Sequence, residues 1–355
     1  MFNPMHHPLI SISVPTYKRK EMLRECVRSI LAQSFQDFEL LIGNDDPSKV
    51  LDKAELGFSD EKIKIYNHKN NLGEMDNLNF LLAQGRGRYF TWLGDDDCLF
   101  PDFLESTIRA MNDACNPSVV FTDYFHGPTF PDTMPLSSPK LELRIGGTIF
   151  TDYVARQLHL IGTGGLFKRE FLIALGGVQD LGGISPYCDV LLALQCSLSN
   201  TVAYVPERLY FLREHANSKS FSSTDSDVYL TAQKIVISNL LPVIIKKRTR
   251  KETREILVAL VKWFANDYRR VLIRSGRDKL KGRGTLIIPH MFRAIAHKRL
   301  MQNPLLIFKA AAIDIRHLLG WVKSDLSHLV VPKILGHPKD PAARTPMILP
   351  RWLCK

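Results

Sequence analysis

Three consecutive carboxylates, Asp95, Asp96 and Asp97, stand between the apolar stretches Trp92-Leu93 and Cys98-Leu99-Phe100. Adjacent like charges repel and gain nothing from burial without a counter-ion. A hard divalent cation, Mg²⁺ or Mn²⁺, binds through one or two carboxylates completed by phosphate oxygens. A solvated Gly-Asp turn is the plainer reading of the same residues. The apolar flanks favour the metal, because they hold the acids at the mouth of a core. Two more polar clusters, Pro15-Thr16-Tyr17 and Asn44-Asp45-Asp46, share this setting. Asp189, in PYCDVLLAL, is a lone carboxylate at a helix start. It suits either proton abstraction or the positive end of a helix dipole.

The elements that must position these residues are legible from periodicity. LISISV (9–14), FELLIG (38–43), KIKIYN (62–67), RYFTWL (88–93) and VVFTDY (119–124) read as strands. Helical patterns lie between them: residues 20–33, with Leu23, Val27, Ile30 and Leu31 on one face, then 74–84 and 101–114. Strands separated by single helices give right-handed crossovers and a mostly parallel sheet, which binds ligands beyond the carboxyl ends of its strands. All three polar clusters fall just past a strand. Residues 126–148 are loop-like, TVAYVP (201–206) and RLYFLR (208–213) read as two further strands, and the pattern is helical beyond about 225. The expectation is a domain at 1–225 followed by a basic helical region at 226–355.

Bulk composition narrows the classes. The chain has 355 residues, of which 45% are hydrophobic and 23% charged, as in a globular protein with a sizeable core. Its six cysteines form no CxxC pair, so neither a zinc site nor a disulfide framework is expected, and a reducing cytoplasm fits. The N-terminus does not read as a secretory signal. The most apolar late window, 304–322, is broken by Lys309, Asp314 and Arg316. The net charge of +11 is concentrated: residues 246–300 alone carry +13, leaving −2 for the remainder. Residues 253–275 read as a basic amphipathic helix with Leu257, Leu260, Val261, Phe264, Tyr268 and Val271 at helical spacing. Such a helix either packs on the catalytic domain with its charged face in solvent or lies on an anionic membrane.

The order of five segments resembles family 2 glycosyltransferases across roughly residues 8–220. These are ISVPTYKR, LAQSFQDFELLIGNDD, NNLGEMDNLNFLLAQGRGRYFTWLGDDDCLFPDFL, GGLFKREFLIALGGVQD and LYFLREHANSKS. The resemblance implies an α/β GT-A fold, a Rossmann-like sheet flanked by helices, with an α-helical C-terminal extension. It implies an inverting, metal-dependent enzyme that uses a nucleoside-diphosphate sugar. Pro15, Thr16 and Tyr17 would line the base and Asp45 would accept its hydrogen bonds. Asp95 would touch the ribose, Asp96 and Asp97 would hold Mg²⁺ or Mn²⁺, and His215 would approach the metal or the diphosphate. Asp189 would be the general base. The sequence departs from the family at Gly94, where the first acid of its motif is common, and at Leu78, where many members carry an Arg near the phosphates. Asn77 and Asn79 would then serve as neutral donors, and Arg213 either adds charge at the phosphates or is a surface residue. The implied acceptor is a glycan or lipid-linked sugar of a cell-surface polysaccharide such as O-antigen. The implied location is the cytoplasm, at the inner face of the membrane if the basic helix binds there.

Other classes remain open from the residues alone. A pI near 9.3 is compatible with nucleic-acid binding, but no nucleic-acid motif accompanies it, so no such partner is expected. A nucleotidyltransferase would use the same acids and release pyrophosphate. An inactive scaffold would be indifferent to substitution of Asp189.

Overall fold

A computed structural model describes residues 7–112, 116–131, 146–181, 187–198, 202–215 and 226–274. Inter-residue contacts divide the chain into two units, residues 1–153 with 158–222, and 154–157 with 223–355.

The first unit is an eight-stranded sheet. Its strands are β1 (Ile10–Thr16), β2 (Phe38–Asn44), β3 (Ile63–Asn67), β4 (Tyr89–Trp92), β5 (Cys98–Leu99), β6 (Val119–Gly127), β7 (Leu166–Lys168) and β8 (Val202–Arg213). The spatial order is β3-β2-β1-β4-β7-β6-β8-β5. The half made by β3, β2, β1 and β4 is parallel throughout. The other half is mixed: β7 runs antiparallel to β4 and β6, β5 antiparallel to β8, and β6 parallel to β8. The single-helix crossovers that predict parallel pairing end at β4, and the sheet changes character there.

The central strands are buried on both faces, which is why β1 and β2 read as near-continuous apolar runs. The polar residues they contain are paired internally: the Ser11 hydroxyl donates to Glu39 at 2.8 Å, and Lys64 Nζ donates to the same carboxylate at 2.8 Å. Helix α1 (Lys20–Leu31) buries Leu23, Val27 and Ile30 at 3- and 4-residue spacing, while Leu31 is partly buried at the edge of the same core. Among the described residues α1 is followed by α2 (Lys53–Leu56), α3 (Glu74–Gln84), α4 (Phe103–Met111) and α5 (Gly146–Val154). Helix α6 (Arg169–Leu175) ends at Gly176, whose φ of 84° is left-handed. Helix α7 (Cys188–Ser197) follows.

One sequence expectation needs correction. The stretches read as separate strands within 201–206 and 208–213 form, over Val202–Arg213, one strand, β8, running through Pro206. Proline has no N–H to give to a ladder, and the chain stays extended by slipping its register against Thr122, Asp123 and Tyr124 of β6. The consequence is functional. The far end of a twelve-residue strand, carrying Tyr210 and Arg213, lies beside β5 and hence beside the acids at 95–97.

In the second unit, α8 (Ser226–Lys247) and α9 (Arg250–Arg274) pack on one another, and Gln233 Nε2 donates to the Phe264 carbonyl. Leu257, Leu260, Val261 and Phe264 are all buried. The side chains of Tyr268 and Val271, and the basic residues from 275 to 300, lie outside the described residues. So does the 304–322 window. Among the described residues no helix is long and apolar enough to cross a membrane.

Candidate active site

At the carboxyl ends of β1, β2 and β4 the first unit opens into a cleft of about 550 Å³. Pro15, Thr16, Tyr17, Asp45, Asp95, Asp96, Asp97 and Asp189 all line it. The three strand-end clusters and Asp189, which the sequence leaves apart from them, thus share one cavity.

The three adjacent acids have different surroundings. Asp95 is buried and accepts from the Thr16 hydroxyl at 2.8 Å and from Arg19 Nη1 at 3.0 Å. Burial, then the charge of Asp96, pushes its carboxyl up to about 6, with Arg19 and Thr16 pulling back. Asp97 accepts from the Tyr210 hydroxyl at 2.7 Å and from the Arg213 backbone N–H at 2.9 Å. Burial, then Asp96, pushes it up to about 8. Asp96 lies between them with one oxygen, Oδ2, approached by both Arg19 Nη1 and His215 Nε2 at 2.9 Å. At Gly94, which opens the turn, a Cβ would sit 2.8 Å from Asp96 Oδ1 and 3.0 Å from Asp97 Oδ2. The absent side chain lets the acids fold back on the turn.

A divalent cation suits this donor set. No group of three or more His, Cys, Asp or Glu side chains among the described residues forms a ready metal cage. Mg²⁺, however, needs only one or two carboxylates once phosphate oxygens complete its shell. Asp96 and His215 meet at one oxygen, and burial, followed by the charge of Asp96, raises the carboxyls of Asp95 and Asp97. Asp97, with both oxygens hydrogen-bonded to β8, ties the acidic turn to that strand.

These shifts have a measurable consequence. A carboxyl raised in the folded state binds a proton there that the unfolded chain has released. The unfolding free energy of the metal-free protein is therefore expected to fall as pH rises from about 4, the ordinary carboxyl range, to about 8, where Asp97 titrates. Mn²⁺ stabilises the charged forms and should reduce that fall. Urea titrations at several pH values, with and without Mn²⁺, check this. An identical slope in both conditions would show that the ion does not reach these acids.

Asp45 is buried at the end of β2. Its two oxygens accept from the backbone N–H groups of Leu72 at 2.6 Å and Gly73 at 2.9 Å. It pins the loop before α3, and Gly73 carries a φ of 85° that favours glycine. Asp46 caps its own turn through Ser48. Asp189 stands in the first turn of α7, where it accepts from the Val190 N–H at 2.8 Å. Gly162 passes so close that a Cβ there would lie 1.7 Å from the Asp189 carbonyl oxygen, so two loops meet at this residue.

The structure does not bring Asn79 to the cleft. Its amide donates to the Val178 carbonyl at 2.8 Å and accepts from the Val178 N–H at 2.9 Å, fastening α3 to the turn after α6. Asn77 lines the cleft, but donates to the Gly43 carbonyl and meets His68 Nε2 at 3.0 Å. Leu78 beside them is buried. The neutral donors expected of this helix are therefore employed in packing.

Three residues that sequence reasoning passed over reach the site: Arg19, Tyr210 and Glu74. Arg19 is hidden in the run Lys18-Arg19-Lys20, where charge alone does not say which side chain turns inward. Lys18 adopts a left-handed φ of 60°, and Lys20 faces Glu55 at 3.5 Å, leaving Arg19 over the acids. The thiols near the site are inert by environment: burial pushes Cys98 up to about 11 and Cys188 up to about 12.

Parts of the chain are similar to known proteins. Residues 11–176 match the family described as Glycosyl transferase family 2. An uncharacterized glycosyltransferase of Rickettsia typhi is 31% identical over 115 residues, 32% of this chain and 36% of that protein. The UDP-Glc:alpha-D-GlcNAc-diphosphoundecaprenol beta-1,3-glucosyltransferase of Escherichia coli is 31% identical over 103 residues, 29% of this chain and 41% of that one. The aligned stretch thus spans between a third and a half of these curated relatives. Among solved structures, S. aureus TarS 1-349 superposes with a TM-score of 0.59 at 17% identity, covering 86% of this chain and 88% of that chain, a likeness of fold. The family match ends before Asp189, which lines the cleft, and before His215, which meets Asp96 at 2.9 Å.

Proposed function

We propose, from the membership of residues 11–176 in glycosyltransferase family 2, that this protein is an inverting transferase. It moves a sugar from a UDP- or dTDP-type donor to a hydroxyl of a glycan or lipid-linked acceptor in cell-surface polysaccharide synthesis. The observation that carries the reading is the single cleft that joins the strand-end acids, the Pro15–Tyr17 loop and Asp189. The E. coli relative is named for a UDP-glucose donor, a diphosphoundecaprenol-linked acceptor and a beta product. The same substrate classes are proposed here.

In this reading Pro15 and Tyr17 flank the base, while Asp45 keeps the 71–73 loop in place beside it and offers its remaining lone pairs to the base N–H. Thr16 holds Asp95 for the ribose. Asp96, with His215, would hold Mg²⁺ or Mn²⁺. That ion, when bound, supplies positive charge to the departing nucleoside diphosphate. Asp189 accepts the proton of the attacking hydroxyl as it approaches the anomeric carbon. The cleft holds donor and acceptor together, which removes much of the entropic cost of their encounter. Direct displacement needs no covalent sugar–enzyme intermediate.

Calorimetric titration of UDP and dTDP, each with and without Mn²⁺ or Mg²⁺, tests the proposal. Metal-dependent binding of one nucleotide is the expected result and identifies the donor's base. Absence of binding for both, under every metal condition, would refute the reading.

A further inference from the structure

We propose that Arg19 is an internal counter-ion that guards Asp96 in the metal-free protein, yields it to the divalent cation, and then holds the nucleoside diphosphate. This rests on the reading of the cleft as a nucleoside-diphosphate site.

The cleft is lined by six acids, Asp45, Glu74, Asp95, Asp96, Asp97 and Asp189, against two arginines, Arg19 and Arg213. Arg213 is committed to structure. Its Nε donates to the Asp96 carbonyl at 2.8 Å, its Nη2 pairs with Glu25, and its side chain is 10% exposed. Arg19 differs on each count. Its side chain is 30% exposed, and it spans both acids through one nitrogen, Nη1, at 3.0 Å from Asp95 Oδ1 and 2.9 Å from Asp96 Oδ2. Its backbone is anchored, since its carbonyl accepts from Leu23 N–H at the start of α1. The long side chain above that anchor lines the cleft.

A dication that ligates Asp96 through Oδ2 competes with Arg19 Nη1 for the same oxygen, and repulsion between the two positive groups favours the guanidinium swinging away. The displaced guanidinium remains tethered at the rim of the same cleft. Phosphate oxygens then offer it the strong charge-assisted bonds it has given up. Helix α3 supplies no competing cation, with Leu78 buried and Asn77 and Asn79 bonded to backbone. The protein therefore holds its acids quiet with an arginine until the cation and the nucleotide arrive together.

The test uses the full chain, with wild type and variants compared at one fixed pH. Mn²⁺ binding alone is read from the free-ion electron paramagnetic resonance signal, and UDP binding by calorimetry in saturating Mn²⁺. Arg19→Ala is expected to bind Mn²⁺ alone about tenfold tighter than wild type, and UDP about tenfold weaker, the size of one charge-assisted hydrogen bond. Uridine affinity should not change. Arg19→Lys keeps the charge without the two-carboxylate span, so it should recover part of the UDP affinity and bind Mn²⁺ at an intermediate level. An arginine that merely braces the fold would not produce opposite changes for the two ligands. Weaker Mn²⁺ binding in Arg19→Ala, or undiminished UDP affinity, would overturn the proposal. If wild-type protein binds no nucleotide, the parent reading fails, and the Mn²⁺ comparison alone decides whether Arg19 guards Asp96.

Discussion

Asp189→Asn is expected to lower kcat by about 10²–10⁴, the range that general-base catalysis contributes, with UDP affinity nearly unchanged. Asparagine has the same shape and can still accept the Val190 N–H bond, so α7 should start as before. What it cannot do is remove a proton. Asp189 faces the same cavity as Asp95, Asp96 and Asp97 but stands on a separate element, so the loss should appear in turnover and leave the donor site intact. Product formation from donor and acceptor, with UDP calorimetry on the same preparation, separates the two effects. A variant with wild-type turnover would move the base elsewhere, and Glu74 is then the other carboxylate in the cleft to replace.

Asp96→Ala should have the second large effect, and a divided one. Removing one member of a partly buried charged group costs about 3–5 kcal/mol when the other charge is left without a partner, which is more than a hundredfold in affinity. Metal-dependent UDP binding should therefore be lost at ordinary concentrations. The metal-free protein should nevertheless be no less stable than wild type. Asp96 is the second cause, after burial, that raises both Asp95 and Asp97, so its removal relieves repulsion inside the turn. Calorimetry for binding and thermal unfolding in the absence of metal read the two halves. Retained metal-dependent binding would place the cation on other residues. A site that trades stability for ligand charge is the pattern expected here, because folding alone would not select three adjacent acids.

The comparison of sequence with structure divides along a physical line. Local regularity was legible. The apolar runs of β1, β2 and β4, and the 3- and 4-residue spacing of Leu23, Val27 and Ile30, report the period of each element because burial selects side chains at that period. Since a parallel sheet gathers its strand ends on one edge, Pro15–Tyr17, Asp45 and Asp95–Asp97 could be placed together before any coordinates existed.

Non-local pairing was not legible. Nothing in residues 202–213 announces one strand bent past Pro206 instead of two, since only pairing with the distant strand β6 shows that Pro206, Glu207 and Leu209 are passed over while the ladder continues. Asn79 carries the same amide whether it faces a phosphate or the Val178 backbone, and only the turn after α6 decides which. Arg19 is one of three adjacent cations, singled out by a left-handed backbone at Lys18. Asp97 is bound to Tyr210 across 113 positions of sequence. The sequence by itself determined the chemistry available and the edge of the sheet where it collects. The tertiary structure decided which acids face the cleft, which are tied to β8, and which cation holds them, because hydrogen bonds between distant segments leave no periodic trace in either segment.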